Sequence, residues 1–241
     1  MSTVLSRPRP AAAPRHVVVI GAGAVGAACA LEALRGGHSV TLLDPGEPGG
    51  PQAASHGNAG WLSSHSIIPP AGPGVWKQIP GYLLDPRGPL ALRWPYLPRA
   101  LPWLWRYVRS GRTPAHVART AHALRALLRE APALHRELAR QAGVAHLVEQ
   151  RGLLHVYRSR ADFEADGLGW RLRRDEGVAF DTLEAAALRA QEPDLDPAYR
   201  FGVRVPEAGH CRQPGAYVAA LVAHAQALGA RRLAARATGL R

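Results

Sequence analysis

Apolar positions along this chain change period several times, and each change marks an element. His16-Val-Val-Val-Ile20 is a short run rich in β-branched residues, the pattern of a buried strand. Ala27 to Leu34 is Ala- and Leu-rich and reads as a helix. Gly36-Gly37 stops it, and Ser39-Val-Thr-Leu-Leu43 reads as a second strand. Farther on, Thr113-Pro114 makes a cap and first turn. Behind it Val117, Ala121, Leu124, Leu128, Ala131, Leu134 and Leu138 form a helical stripe that Gly143 ends, with a kink or break predicted at Pro132. Gly152 to Tyr157 and Phe201 to Val205 read as strands, and Ala161 to Glu176 as largely helical. Pro214 opens a last helix, with Val218, Leu221, Val222, Ala225 and Leu228 on one face and Gly229 closing it.

Between the first strand and first helix stands Gly21-Ala22-Gly23-Ala24-Val25-Gly26, a G-x-G-x-x-G placed as a dinucleotide-binding βαβ unit requires. Gly21 permits the tight turn, Gly23 lets backbone approach a pyrophosphate, and Gly26 allows the helix to pack closely on the strand. The helix N-terminus offers free N–H groups and a partial positive charge to phosphates. Asp44 ends the second strand, eighteen residues beyond Gly26, where a carboxylate can accept hydrogen bonds from a ribose 2′-hydroxyl. A 2′-phosphate would meet like charge there, which disfavours NADP. The plainer role for Asp44 is a turn residue ahead of Pro45-Gly46.

The stretch from Pro45 to Gly60 is dense in small residues and contains Ser55-His56-Gly57-Asn58-Ala59-Gly60. Small side chains with Ser and Asn let a loop lie close against a flat cofactor and donate hydrogen bonds to it. Taken with the strand-GxGxxG-helix-strand-Asp unit, Ala54-Ser55-x-x-Asn58-Ala59-Gly60 resembles the FAD-dependent D-amino acid dehydrogenases and their glycine and D-amino acid oxidase relatives. Similar stretches extend over residues 16 to about 235. They include Pro69 to Gly74, Pro89 to Arg93 with Leu97-Pro98 and Trp103-Leu104-Trp105, Glu192-Pro193 with Leu195, and Pro206 to Cys211.

The resemblance implies an α/β fold: the N-terminal part of a Rossmann-like FAD-binding domain, with an inserted α+β substrate-domain segment, truncated at the C-terminus. It implies FAD as cofactor, with Gly21, Ala22, Gly23, Val25, Gly26, Asp44, Ser55, His56, Asn58, Ala59 and Gly60 as contacts. In relatives that carry flavin covalently the histidine stands one place nearer the glycine, where this chain has Gly57, so His56 is assigned a non-covalent contact. The implied reaction is oxidation of the CH–NH2 group of a D-amino acid to an imino acid, which water hydrolyses to a keto acid and ammonia. The alternatives are a sarcosine, glycine or cyclic imino acid oxidase of the same fold, or a non-catalytic remnant. The family's substrate clamps fall in a half this chain lacks, so no catalytic residue is assigned, and the 241 residues alone are expected to be inactive. The expected segments are a disordered 1–15, cofactor-binding 16–60, substrate domain 61–206, and a return to the cofactor domain over 207–241. There Arg232 to Leu240 remains to supply a strand of the cofactor sheet.

Charge changes the picture little. The formal net charge is +12, but 29 of the 30 basic residues are arginines spread along the chain, and no nucleic-acid-binding motif accompanies them, so nucleic acid is not an expected partner. Two cysteines cannot frame a disulfide scaffold and suggest a reducing compartment. Cys29 is expected as a buried helix residue and Cys211 as a passive loop thiol. His116, His122 and His135 form no i, i+4 pair, so no metal site is expected. Glu192, Asp194 and Asp196 among prolines read as a turn. Val17 to Leu31 is too short and glycine-rich to span a bilayer, which takes ~20 residues.

Five of the six tryptophans lie between Trp61 and Trp105. Leu101, Leu104, Trp105 and Val108 share a helical face, with Arg99, Arg106 and Arg109 elsewhere on the turn. Such a helix can lie in a membrane interface, or it can pack on the substrate domain. The first reading suits an enzyme that hands electrons to a membrane carrier such as a quinone, placed in the cytoplasm or at the inner face of its membrane.

Overall fold

The computed structural model describes residues 13–74, 81 and 94–239. Pro89 to Arg93, and the first twelve residues of the expected disordered N-terminus, lie outside the described residues. The described residues form two compact units.

The first unit gathers the N-terminal part through Leu62, Pro132–Gln150 and the chain from Gly209 onward. Strands β1 (His16–Ile20), β2 (Ser39–Leu43) and β9 (Arg231–Leu233) make a parallel sheet in the order β1-β2-β9. The register pairs Val18 with Thr41 and Leu42 with Arg232. The short segment expected to supply a further strand therefore does so. Helix α1 (Ala24–Arg35) buries Ala27, Ala30 and Leu31 in a core shared with Val40 and Leu42. Strand β1 departs from the buried strand expected of it. Val17 and Val19 pack against the core, whereas Val18 and Ile20 are 54% and 55% exposed. Side chains alternate across a strand, and among the described residues only one face of β1 is covered.

The expected run 61–206 is divided by the structure. Residues 132–150 belong with the first unit, because Ala139, Leu147 and Val148 enter its core. Two short strands fix the arrangement: β3 (Trp61–Leu62) and β4 (Val148–Glu149) each pair antiparallel with β8 (Gly209–Cys211). Cys211 is thus a buried strand residue rather than a loop thiol, and Cys29 is exposed rather than buried. Helix α8 (Pro214–Ala227) buries Tyr217, Val218, Leu221, Val222 and Ala225.

In the second unit, β5 (Leu153–Tyr157), β7 (Phe201–Val205) and β6 (Asp181–Glu184) form an antiparallel sheet in the order β5-β7-β6. Around it lie α2 (Leu97–Ser110), α3 (Pro114–Leu128), α5 (Arg160–Ala165), α6 (Gly167–Asp175) and α7 (Ala185–Gln191). The long stripe breaks as Pro132 predicts: α3 ends at Leu128, and α4 (Ala131–Gln141) restarts with that proline in its first turn. Thr113 caps α3 by accepting from the His116 amide. The acidic 192–196 stretch is a turn, closed by Leu195 N–H to the Glu192 carbonyl and Ala198 N–H to the Asp196 carboxylate.

Candidate cofactor site

The chain turns from β1 into α1 through Gly21, whose φ of 101° lies in the left-handed region. Its N–H donates to the Leu43 carbonyl at 2.8 Å, which ties the turn to the end of β2. A Cβ on Gly26 would stand 1.9 Å from the Gly21 carbonyl oxygen, so only glycine lets the helix approach this closely. Around Gly23 the space is open: a Cβ there would meet nothing within 4 Å. Gly23 is also the N-cap of α1, makes no side-chain cap, and is followed by no acidic residue in the first turn. The first N–H groups of a helix have no intrahelical acceptor, and among the described residues no side chain caps them. Val25 stands beside them, 79% exposed.

Asp44 is clamped by the same turn. One carboxylate oxygen accepts from the Ala22 N–H and the other from the Gly46 N–H, both at 2.8 Å. The Ala22 amide is the main cause holding this carboxyl below its usual pKa, followed by Gly46; Arg232 adds to it and burial opposes it. Both readings of the sequence meet in this residue. It braces the turn at Pro45-Gly46, and as an ionised group with unused lone pairs it can also accept from a hydroxyl.

The loop that follows is held by backbone. His56 Nδ1 lies 3.0 Å from the Gly49 carbonyl. A carbonyl only accepts, so Nδ1 is the donor in this bond. The Asn58 carboxamide oxygen accepts from the Gly60 N–H at 2.7 Å, closing a tight Asx turn. The Gly60 carbonyl then accepts from Cys211 N–H at 2.7 Å, and a Cβ on Gly60 would stand 1.9 Å from the Cys211 oxygen. Ser55 is half-buried, and His56, Asn58 and Ala59 are exposed. Gly21, Ala22 and Asp44 are thus tied to the end of β2, while Asn58 is bonded to Gly60 and Gly60 to β8. Sequence reading missed Arg232, which donates to the Gly46 carbonyl at 2.7 Å from 186 positions away and lies close to Glu47. No local signal marks so distant a contact.

Sequence reading also missed a buried polar cluster in the second unit. The Arg125 guanidinium, 3% exposed, donates to the carbonyls of Ser64, Glu176 and Gly177 and to both oxygens of Glu207. His65 is fully buried, and its Nε2 lies 2.8 Å from His155 Nε2. Burial first, then His155, Arg173 and Arg125, push His65 down to about 3. His155 is lowered too, by burial and then Arg173. The pair is therefore neutral, one ring donating to the other. A histidine inside the apolar strand Leu153-Leu-His-Val-Tyr157 was the available signal. Among the described residues no group of acids, histidines and cysteines is arranged to hold a metal.

Residues 16–241 match the family model of FAD dependent oxidoreductases, and the chain belongs to that family. It is 64% identical over 227 residues to a D-amino-acid oxidase of Bradyrhizobium diazoefficiens, covering 94% of this chain and 54% of that protein. A D-amino acid dehydrogenase of Phenylobacterium zucineum is 32% identical over 200 residues, covering 81% of this chain and 46% of that protein. The chain thus spans about half the length of these curated relatives. Among solved structures, an L-amino acid deaminase from Proteus vulgaris shares the fold with a TM-score of 0.58 at 16% identity, covering 98% of this chain and 48% of that one. A glycine oxidase from Geobacillus kaustophilus does so with a TM-score of 0.55 at 21% identity, covering 91% and 46%.

Proposed function

We propose that this chain forms the nucleotide-holding portion of a FAD-dependent oxidase or dehydrogenase acting on D-amino acids. The 64% identity to a D-amino-acid oxidase carries this reading. The residues present suit the cofactor. The open space over Gly23 and the uncapped start of α1 accommodate a pyrophosphate, which the helix N-terminus favours electrostatically. Asp44, kept ionised by the Ala22 and Gly46 amides, is assigned to the ribose hydroxyls. Ala22 and Val25 are assigned to flank the phosphates, and Ser55, His56 and the Asn58-Ala59-Gly60 turn to the remainder of the cofactor. FAD supplies the two-electron oxidation of the substrate's Cα–N bond; water then converts the imino acid to a keto acid and ammonia. The contribution of these residues is placement and charge. The test is flavin bleaching on anaerobic addition of D-amino acids, L-amino acids, glycine and sarcosine to the protein carrying this chain. Bleaching by D-amino acids supports the assignment; tight binding of a nicotinamide dinucleotide with no affinity for flavin overturns it.

Peripheral membrane contact through α2 completes the proposal and would bring a quinone acceptor within reach. No residue of α2 is buried, it contains no acid, and Trp103 and Trp105 are each 62% exposed. Trp103 stacks on Tyr107, and the Arg109 guanidinium lies over Trp105. Exposed tryptophans beside Arg99, Arg106 and Arg109 suit an anionic lipid surface. Among the described residues no helix is long and apolar enough to cross a membrane. Flotation with anionic liposomes at low salt, lost at high salt and in a Trp103→Ala, Trp105→Ala variant that still folds, is the expected result. A protein that stays unbound at low salt refutes it.

A further inference from the structure

The loop assigned to the cofactor is pinned twice to one distant segment of the chain. Its end is held where the Gly60 carbonyl accepts from Cys211 N–H and Trp61 pairs with His210. Its beginning crosses the first turn of α8. A Cβ on Gly49, whose φ of 69° lies in the left-handed region, would stand 1.9 Å from the Gly215 carbonyl oxygen. A Cβ on Gly215 would stand 2.6 Å from the Gly49 carbonyl oxygen. Neither position has room for a side chain, so backbone rests directly on backbone. The helix is the fixed member of this contact, because Tyr217, Leu221, Val222 and Ala225 anchor it in the core of the first unit, each 2% exposed or less.

Between the two pins, Gly50, Ala53 and His56 donate their N–H groups in turn to the carbonyls of Glu47, Gly50 and Ala53. These turns are local, and none of them ties the loop back to Gly49. The His56 side chain does so. Its Nδ1 donates to the Gly49 carbonyl at 3.0 Å, and its Nδ1 and Cα lie 3.4 and 3.5 Å from the Cβ position of Gly215. One imidazole therefore closes the loop and rests on the helix that supports it. We propose that His56 is a positioning residue: through Gly49 and Gly215 it locks the loop on α8, and so holds Ser55 and the Asn58-Ala59-Gly60 turn in the shape that receives flavin. This role rests on the flavin assignment made above, and it needs only the Nδ1 donor rather than a contact between the ring and the cofactor.

The experiment compares wild type, His56→Leu, His56→Asn and Gly215→Ala as full chains. Hydrogen exchange of residues 49–60 is followed without flavin, and FAD affinity by fluorimetric titration. Leucine keeps bulk but no donor, whereas asparagine returns an N–H close to the position of Nδ1. Gly215 lies outside the left-handed region, and alanine favours a helix, so the added methyl acts on the Gly49 carbonyl and not on α8. His56→Leu and Gly215→Ala should speed exchange across the loop and raise the Kd for FAD roughly tenfold, the scale of one lost hydrogen bond, with Tm close to that of wild type. His56→Asn should recover most of both losses. Equal FAD losses in His56→Leu and His56→Asn mark a direct contact and overturn the positioning role, as does unchanged loop exchange in His56→Leu. A wild type that shows the exchange pattern but binds no FAD overturns the flavin assignment itself, and the proposal with it.

Discussion

Gly26→Ala tests the close approach of α1 to the turn before it. The added Cβ would stand 1.9 Å from the Gly21 carbonyl oxygen and 3.4 Å from Val19 Cγ1. A carbon rests no nearer than about 3.3 Å to such an oxygen, so turn and helix must separate by roughly 1.4 Å. Ala27, Ala30 and Leu31, at 0%, 0% and 1% exposure, lie on the packed face of that helix and retreat with it. Gaps of 0.5–1 Å already forfeit roughly a quarter to a half of a contact's attraction, and overpacking a core costs ~1–3 kcal/mol. Losing close packing over three buried positions puts this case at about 3 kcal/mol, or roughly 6–12 °C in Tm for a chain of this size. Gly23→Ala is the partner experiment. Gly23 has φ −76° and ψ −174°, which alanine adopts freely, and its Cβ meets nothing. Exchanging glycine for alanine at an N-cap costs only about 0.5–1 kcal/mol, yet the new methyl occupies the space assigned to the pyrophosphate. Thermal unfolding and fluorimetric flavin titration of both variants should separate the two effects: Gly26→Ala loses stability, and Gly23→Ala loses flavin affinity at nearly full stability. Equal Tm losses in the two variants, or a Gly26→Ala protein within 1 °C of wild type, refute the reasoning.

Asp44→Ala leaves the Ala22 and Gly46 amides without their acceptor and removes the proposed ribose partner. Flavin affinity should fall by about 1–3 kcal/mol, read by the same titration, and Asp44→Asn should recover part of it. For His65 the folded pKa of about 3 lies below the unfolded 6.5. The unfolded chain therefore binds more protons between those values, and this contribution is complete above pH 6.5 and is lost as pH falls. The unfolding free energy from denaturant melts should drop from pH 6.5 to pH 5, by up to about 2 kcal/mol at 1.4 kcal/mol per unit. A His65→Asn, His155→Asn double variant with an unchanged slope would show that the pair is not the cause. Arg125→Met removes the cation paired with Glu207 and leaves the carbonyls of Ser64, Glu176 and Gly177 without this donor. Since the Glu207 side chain is 32% exposed and can rehydrate, the cost should sit near the lower end of the range for broken buried pairs, about 3 kcal/mol; urea unfolding measures it, and a loss under 1 kcal/mol would place the pair effectively in solvent.

The sequence by itself determined whatever rests on local geometry. The turn at Gly21, the packing glycine at Gly26, the cap at Thr113 and the break before Pro132 each follow from how one residue restricts the backbone next to it. The family could also be read from Asn58-Ala59-Gly60, because an Asx turn followed by a left-handed glycine is itself a local device. Tertiary structure decided what depends on partners far along the chain. β3, β4 and β8 have two or three residues each and carry no periodic signal; they are strands because Trp61 finds His210 and Val148 finds Cys211. Residues 132–150 read as a continuation of the substrate segment, but the pairing of β4 with β8 places them in the first unit. His65 with His155, Arg125 with Glu207, and Arg232 with Gly46 are long-range meetings of polar groups, invisible to period or propensity. Val18 and Ile20 show the same limit from the opposite side. Their β-branched side chains specify a strand, but burial depends on what lies across the sheet, and the strand's own sequence does not encode that.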